Sequence, residues 1–260
     1  MSMSTKIRVI DVHCHLTHEA FKGDLDRVIY RARLVGVKYI ITSTLRLNEI
    51  KYALKIRSSY VNTVHISIGC SPSLFDFKEI EGIKSFIKKN ANNIAGIGEV
   101  GLDYSVVKDN VLRKVQVENF LSWLTLAKEL NLPIIVHIRK AEKIVLDMLK
   151  KFNIDVPVVL HAYSGPLYLV EEFIELKNVY FSIPPSICKS SSKQKLVEIL
   201  PLEKILLESD APYLHPFSFD RNEPSFIVHS LIKIAKIKDV DLEKVASVSY
   251  ETAKRIFELG

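Results

Sequence analysis

One alternation runs through the chain: a short aliphatic, β-branched run, then a longer amphipathic stretch, eight times over. The runs are IRVIDVH (7–13), YIITST (39–44), VHISIGC (64–70), IAGIGEV (94–100), PIIVH (133–137), PVVLH (157–161), VYFSI (179–183) and KILLESD (204–210). The intervening helical patterns cover 24–36, 46–59, 76–90, 112–130, 140–152, 166–177 and 191–200, with a final helical region over 225–238 and 241–259. Runs of Val and Ile with little polar alternation are the habit of strands buried on both faces, as in parallel sheets. Regular alternation of strand and helix gives an α/β fold. Eight units in 260 residues predict a closed (β/α)8 TIM barrel, with its active site at the C-terminal ends of the strands. An open doubly wound sheet is the alternative. No GxGxxG or GxxxxGK[ST] follows the first strand, which disfavours nucleotide-binding folds of that kind.

Length and composition bound the rest. With 48% hydrophobic residues the chain can bury one large core, so residues 1–260 are expected to form a single domain, with 1–6 flexible. No apolar run reaches the ~18–20 residues of a membrane span. The start, MSMSTKIRVI, has no apolar h-region or cleavage pattern, so no signal peptide is expected. Cys14, Cys70 and Cys188 are too scattered for a disulfide set or a CxxC clamp, which predicts a reducing, cytoplasmic compartment. The net charge of +6 permits an anionic partner such as nucleic acid. Most of the lysines, however, alternate with Glu and Asp on solvated helix faces, and only short clusters such as KSSSKQK stand out.

The polar residues at the strand ends narrow the function. Strand one ends in His13 and His15, and period-two alternation would put both on one face with Asp11. Glu99 ends strand four, His137 strand five, His161 strand six and Asp210 strand eight. Each has an ordinary alternative: a rim hydrogen bond for any one histidine, an ion pair for Glu99, a turn cap for Asp210. Together, four imidazoles and two carboxylates on one rim are costly to bury unless charge and hydrogen bonds are satisfied. A divalent metal satisfies them, and N/O donors suit zinc, manganese and similar ions. Six ligands exceed the need of one catalytic ion, so two ions sharing a carboxylate is the economical reading. His18, His65, His215 and His229 are not expected to be ligands. Cys14 belongs to the opposite strand face.

These residues sit in the motifs DVHCHL, IGEVGLDY, LNLPIIVH, HAYSG and LLESDAPYL, and the chain continues into RNEPSFIVHSLIKIA and AKRIF. In this order they resemble the signatures of the TatD-like metal-dependent deoxyribonucleases, within the amidohydrolase-type barrel superfamily, over nearly the whole chain. The resemblance implies that His13, His15, Glu99 and Asp210 hold one divalent ion, with Glu99 bridging to a second held by His137 and His161. It implies zinc, manganese or magnesium as metal, and Glu99 and Asp210 as catalytic residues, Asp210 taking a proton from the attacking water. The implied activity is phosphodiester hydrolysis in DNA, as a 3′→5′ exonuclease on single-stranded 3′ ends, with no membrane and no obligatory protein partner. Asp11 is expected to support the ligands from behind. Glutamate rather than a carboxylated lysine on strand four argues against the urease, dihydroorotase and phosphotriesterase branches.

Two divalent ions against two carboxylates leave the inner site at about +2, which favours a phosphate. Arg139, two residues beyond His137, is a candidate phosphate contact, with a surface salt bridge as the alternative. Ser164 and Gly165 are candidates to offer a hydroxyl and an N–H to an anion at a helix start, or to cap that helix. Arg221 either reaches the mouth or, with Glu223, pins its loop. The chain departs from the family at three places, of which HAYSG for the family's HCFSG is a mild change. The G-x-H-P turn after strand three reads GCSP, with Ser71 in place of the histidine expected to hold substrate, and an asparagine near the end is replaced by Thr252. Ser71 keeps two-metal hydrolysis of another ester or amide, such as aminoacyl-tRNA, in view, and the basic charge allows a third function, non-catalytic nucleic-acid binding.

Overall fold

The computed structural model describes residues 7–218 and 220–260; the expectation for residues 1–6 lies outside the described residues. Eight strands form: β1 (Val9–Cys14), β2 (Val37–Thr44), β3 (Val64–Ile68), β4 (Gly96–Asp103), β5 (Ile134–Arg139), β6 (Val158–His161), β7 (Val179–Ile183) and β8 (Ile205–Leu207). They pair in parallel in chain order, β1 through β8, as the alternation predicts. The helices between and after them are α1 (Leu25–Leu34), α2 (Leu47–Ser59), α3 (Phe77–Asn90), α4 (Asn110–Leu130), α5 (Glu142–Phe152), α6 (Val170–Ile174), α7 (Ser191–Ile199), α8 (Ile227–Lys238) and α9 (Leu242–Ile256). Local chemistry sets several ends. Asp76 and Asp109 accept the free amides at the starts of α3 and α4, and Asn131 and Asn153 close α4 and α5 in the left-handed region.

The barrel closes where β8 has already ended. Asp210 N donates to His13 O (2.9 Å), and His15 N donates to Ala211 O (2.7 Å). The apolar outer strand faces pack under the helices. The lower interior is filled by Ile10, Val12, Tyr39, Ile41, Ile135, Val159 and Leu206, and α9 stoppers that end with Tyr250, Ala253 and Ile256. The Tyr39 hydroxyl donates to the Gly260 carbonyl beneath this plug. Thr252 belongs to α9 and is buried there. Among the described residues no helix is long and apolar enough to cross a membrane.

Three local differences from the expected pattern matter. The predicted 166–177 helix shrinks to α6, because Pro166 lacks an N–H and the chain first makes a 3-10 turn over Leu167–Leu169. β4 runs on to Asp103 instead of ending near residue 100. β1 and β4 also each carry an extra residue on the way to the site. Asp11 and Cys14 are opposite Ile40 and Thr42, and Ile97 and Val100 are opposite Ile134 and Val136. Three residues thus face two in each case, and the bulge reverses the alternation of side chains.

Candidate metal centre

Going up the barrel interior, the layer above the apolar plug is polar. Two residues beyond Ile41, Ile135, Val159 and Leu206 come Ser43, His137, His161 and Glu208. The bulge in β1 turns His13 inward, toward Ser43, whose hydroxyl lies 2.9 Å from His13 Nδ1. The bulge in β4 does the same for Glu99. Gly98 has φ near +150°, and a Cβ there would stand 2.7 Å from that of Ile135. Gly101, also at +150°, passes so close to His137 that a Cβ would meet its carbonyl oxygen at 2.0 Å. The glycines of the GEVG segment therefore let a carboxylate enter the barrel axis and let β5 approach it.

All six expected ligands converge, and Glu99 is their centre. Its Oε2 lies 3.3 Å from His13 Nε2 and 3.4 Å from His15 Nε2. Its Oε1 lies 2.7 Å from His137 Nδ1 and 3.2 Å from His161 Nε2. Asp210 Oδ1 is 3.5 Å from both His13 Nε2 and His15 Nε2. Donor atoms of His13, His15 and Glu99, of Glu99, His137 and His161, and of His13, His161 and Asp210 form groups within 4.8 Å. Asp210 itself is held at φ 53°, a left-handed conformation that aspartate tolerates better than most residues.

The electrostatics are those of a cation site. Burial would raise Glu99, but His161, His13, His137 and His15 hold it well below the usual carboxylate range. Asp210 is likewise penalised by burial, yet held low by His13 and His15. Burial would lower His15 and His137, but their carboxylate neighbours, Asp210 and Glu99 for the first and Asp103 and Glu99 for the second, carry them to about 9 and about 10. The donor set fits divalent ions on a further ground: buried His13 Nε2 has no hydrogen-bond partner among the described residues although it points into the cluster.

Several supporting groups were not singled out from the sequence. Asp103 Oδ2 accepts from His137 Nε2 (3.1 Å). Glu208 is fully buried, accepts from Ser182 Oγ (2.6 Å) and has Oε2 3.7 Å from His161 Nδ1. Burial lifts Glu208 to about 8. Lys193 reaches in from α7 and donates to Ala162 O (2.8 Å) and Tyr163 O (3.3 Å), and burial brings it down to about 8. The one signal for them in the sequence is spacing: Glu208 stands two residues before Asp210, and Asp103 four after Glu99.

The expected role of Asp11 is corrected in its geometry. The bulge puts Asp11 on the other strand face from His13 and His15, so it touches neither ring. It accepts instead from Ser209 N (2.8 Å), Ser209 Oγ (2.6 Å) and His13 N (3.3 Å), tying the backbones that carry His13 and Asp210.

The substrate-side candidates separate. Arg139 is exposed at the end of β5 and makes no ion pair among the described residues, so the salt-bridge alternative does not apply. Ser164 and Gly165 lie in a loop before the 3-10 turn, whose N-cap is Pro166, so neither stands at a helix start. Gly165 leaves room for Glu142, whose Cγ a Cβ would meet at 2.4 Å. Ser71 is turned to Ser73, 2.9 Å between hydroxyls. His65 is on β3 against Tyr39, at the plugged end, and His18, His215 and His229 are engaged in local turns or ring contacts. Tyr213, half-exposed, stands edge-on to His15 at 6.0 Å and was missed.

Arg221 takes the loop-pinning alternative. Its guanidinium holds Asp24 at 2.6 and 2.8 Å and also donates to Ala20 O (2.8 Å). This contact draws Asp24 from 3.8 down to about 2. A depressed carboxylate contributes stability above its unfolded value and loses it as pH falls through the folded one. Arg221→Gln is therefore expected to cost about 1 kcal/mol near neutral pH, since the pair is partly solvated. Melting curves of both proteins should converge as pH falls from about 4 to about 2. A gap that persists at pH 2 would contradict the assignment.

The family description "TatD related DNase" matches residues 10–258. A metal-dependent hydrolase of Methanocaldococcus jannaschii is 37% identical over 254 residues, 97% of this chain and 98% of that protein. Deoxyribonuclease TATDN3 of Homo sapiens is 32% identical over 262 residues, 96% of this chain and 95% of that protein. The solved structure of a TatD homologue from Escherichia coli, YJJV, shares the fold with a TM-score of 0.89 at 24% identity, covering 98% of this chain and 99% of its own. With a barrel of this topology, a histidine–carboxylate cluster at its mouth and a match spanning nearly every residue, the chain belongs to the TatD-related DNase family of metal-dependent hydrolases.

Proposed function

We propose that the protein is a deoxyribonuclease that uses two divalent ions to remove nucleotides from the 3′ end of single-stranded DNA. The observation that carries this is the disposition of Glu99, which offers one oxygen to His13 and His15 and the other to His137 and His161. His13, His15, Asp210 and Glu99 would hold one ion, and Glu99, His137 and His161 the other. Such ions, when bound, supply Lewis acidity toward phosphoryl oxygens and acidify a water to near neutrality. Asp210, kept ionised beside His13 and His15, would accept the proton of an attacking water, and that proton would then be available to the sugar oxygen that leaves phosphorus. Arg139, exposed at the end of β5 and without an ion pair among the described residues, is a cation available to the DNA backbone, and Tyr213 offers a ring on which a base can stack. The imidazole-rich donor set favours zinc or manganese over magnesium. The name of the human relative supports a DNA substrate, and three free cysteines support a cytoplasmic location.

The second reading, hydrolysis of another ester such as aminoacyl-tRNA, is favoured by one feature: Ser71 is paired to Ser73 and brings no cation to its loop. Metal-loaded protein assayed in parallel on 5′-labelled single-stranded DNA, aminoacyl-tRNA and small esters separates the two. We expect the labelled DNA to shorten stepwise from its 3′ end, and chelation to stop it. Intact DNA alongside turnover of one of the other substrates would replace the nuclease reading.

A further inference from the structure

The two proposed ion positions are unequally provided with charge. The His13–His15 position has Asp210 as well as its share of Glu99, whereas the His137–His161 position has only its share of Glu99. The four histidines are also turned differently. His13 and His15 present Nε2 to Glu99, and so does His161, but His137 presents Nδ1. A neutral imidazole offers a lone pair on one nitrogen only, and the partner of the other nitrogen decides which.

For His137 that partner is Asp103, and its carboxylate is fixed before it meets the ring. Asp103 Oδ1 accepts from Ser105 N (2.7 Å), Ser105 Oγ (2.5 Å) and Val106 N (3.1 Å), so this oxygen is saturated. Gln116 holds the Asp103 amide at 3.1 Å and is itself anchored to Pro72 O at 2.7 Å. Only Oδ2 is left, and it accepts from His137 Nε2 at 3.1 Å. We infer that Asp103 is a positioning residue that locks the proton of His137 on Nε2, aims the Nδ1 lone pair into the cluster, and supplies from behind the negative charge that the His137–His161 position lacks. The inference rests on the two-ion reading above. A carboxylate behind a ligating imidazole both fixes the tautomer and raises ligand basicity.

Asp103→Asn tests this with almost no change of shape. The three donors around Oδ1 still require an acceptor there, so the amide nitrogen takes the place of Oδ2. It then faces His137 Nε2 with an N–H, which drives the imidazole proton to Nδ1. Titration with cobalt(II), followed by its visible absorption, should show two ions bound by the wild type. In Asp103→Asn the first should bind as before and the second about 10- to 100-fold more weakly. Ser105→Ala loosens the turn but leaves Oδ2 on the ring, and should keep the second ion within a few-fold of wild type. Nitrogen-15 NMR of the zinc-loaded wild type, in which the ring carries a single proton, should find His137 protonated on Nε2 and without a proton on Nδ1. The inference is overturned if that NMR finds the proton on Nδ1, a result that needs no variant. It is also overturned if Asp103→Asn binds both ions normally, loses both alike, or is matched by Ser105→Ala. A wild type that takes up one cobalt ion instead removes the two-ion reading, and this inference with it.

Discussion

Glu99→Ala should lose hydrolysis on the order of 10³-fold or more, because one side chain serves both proposed ions. Both oxygens of Glu99 are committed, each to a different pair of histidines, so no neighbour can replace it. Elemental analysis of the variant should find fewer than two ions per chain under conditions that saturate the wild type. The protein should still fold, since removal of Glu99 leaves a polar space at the open end of the barrel rather than a hole in the apolar plug. Glu99→Gln sharpens the test. Its amide keeps one oxygen for one histidine pair and turns an N–H toward the other, so it should retain one ion and little activity. Full activity in either variant would remove Glu99 from the centre of the mechanism.

Lys193→Met is expected to carry the largest penalty in stability outside the apolar core, about 3 kcal/mol. The ammonium is buried and bonds the carbonyls of Ala162 and Tyr163 directly after His161. Ala162 has φ 46°, in the left-handed region that costs a residue with a Cβ about 1 kcal/mol or more. Lys193 is thus a clamp on a strained turn. Methionine fills the same volume, so the loss reports the ionic clamp rather than a cavity. Thermal unfolding should show a drop of roughly 5–10 °C for a chain of this size. Because His161 precedes the clamped residue, activity should fall as well. A variant that melts with the wild type would show that the ammonium contributes nothing to the fold.

What the sequence made legible follows from where side-chain periodicity is regular. The strands stand out because buried parallel strands are continuous in Val and Ile, as in PIIVH and PVVLH, and both end in a ligand candidate. Period-two logic failed at Asp11, because a bulge inserts one residue between it and His13's partner register and puts it on the opposite face. The same irregularity hides the role of the two glycines around Glu99. Arg221 could not be assigned from sequence, since its partner Asp24 is 197 residues away. Ser164 was misplaced because a proline delayed the helix it was expected to start. Asp103 and Glu208 escaped notice because they touch ligands rather than the reacting centre, and only the assembled barrel gives them their partners.

The seam of the barrel ties the site to the order in which the chain must assemble. Asp11 bonds Ser209 across 198 residues, and His13 and His15 exchange backbone hydrogen bonds with Asp210 and Ala211 at the same place. Contacts of such sequence separation pay the highest loop-closure entropy and reward folding last. Three of the six ligand candidates lie on that seam. Every earlier strand can pair with its predecessor locally, but the metal pocket is completed only when the first and eighth strands meet. Acquisition of metal is therefore a report on the final step of folding, and an ion captured there holds shut the joint that the chain is slowest to make.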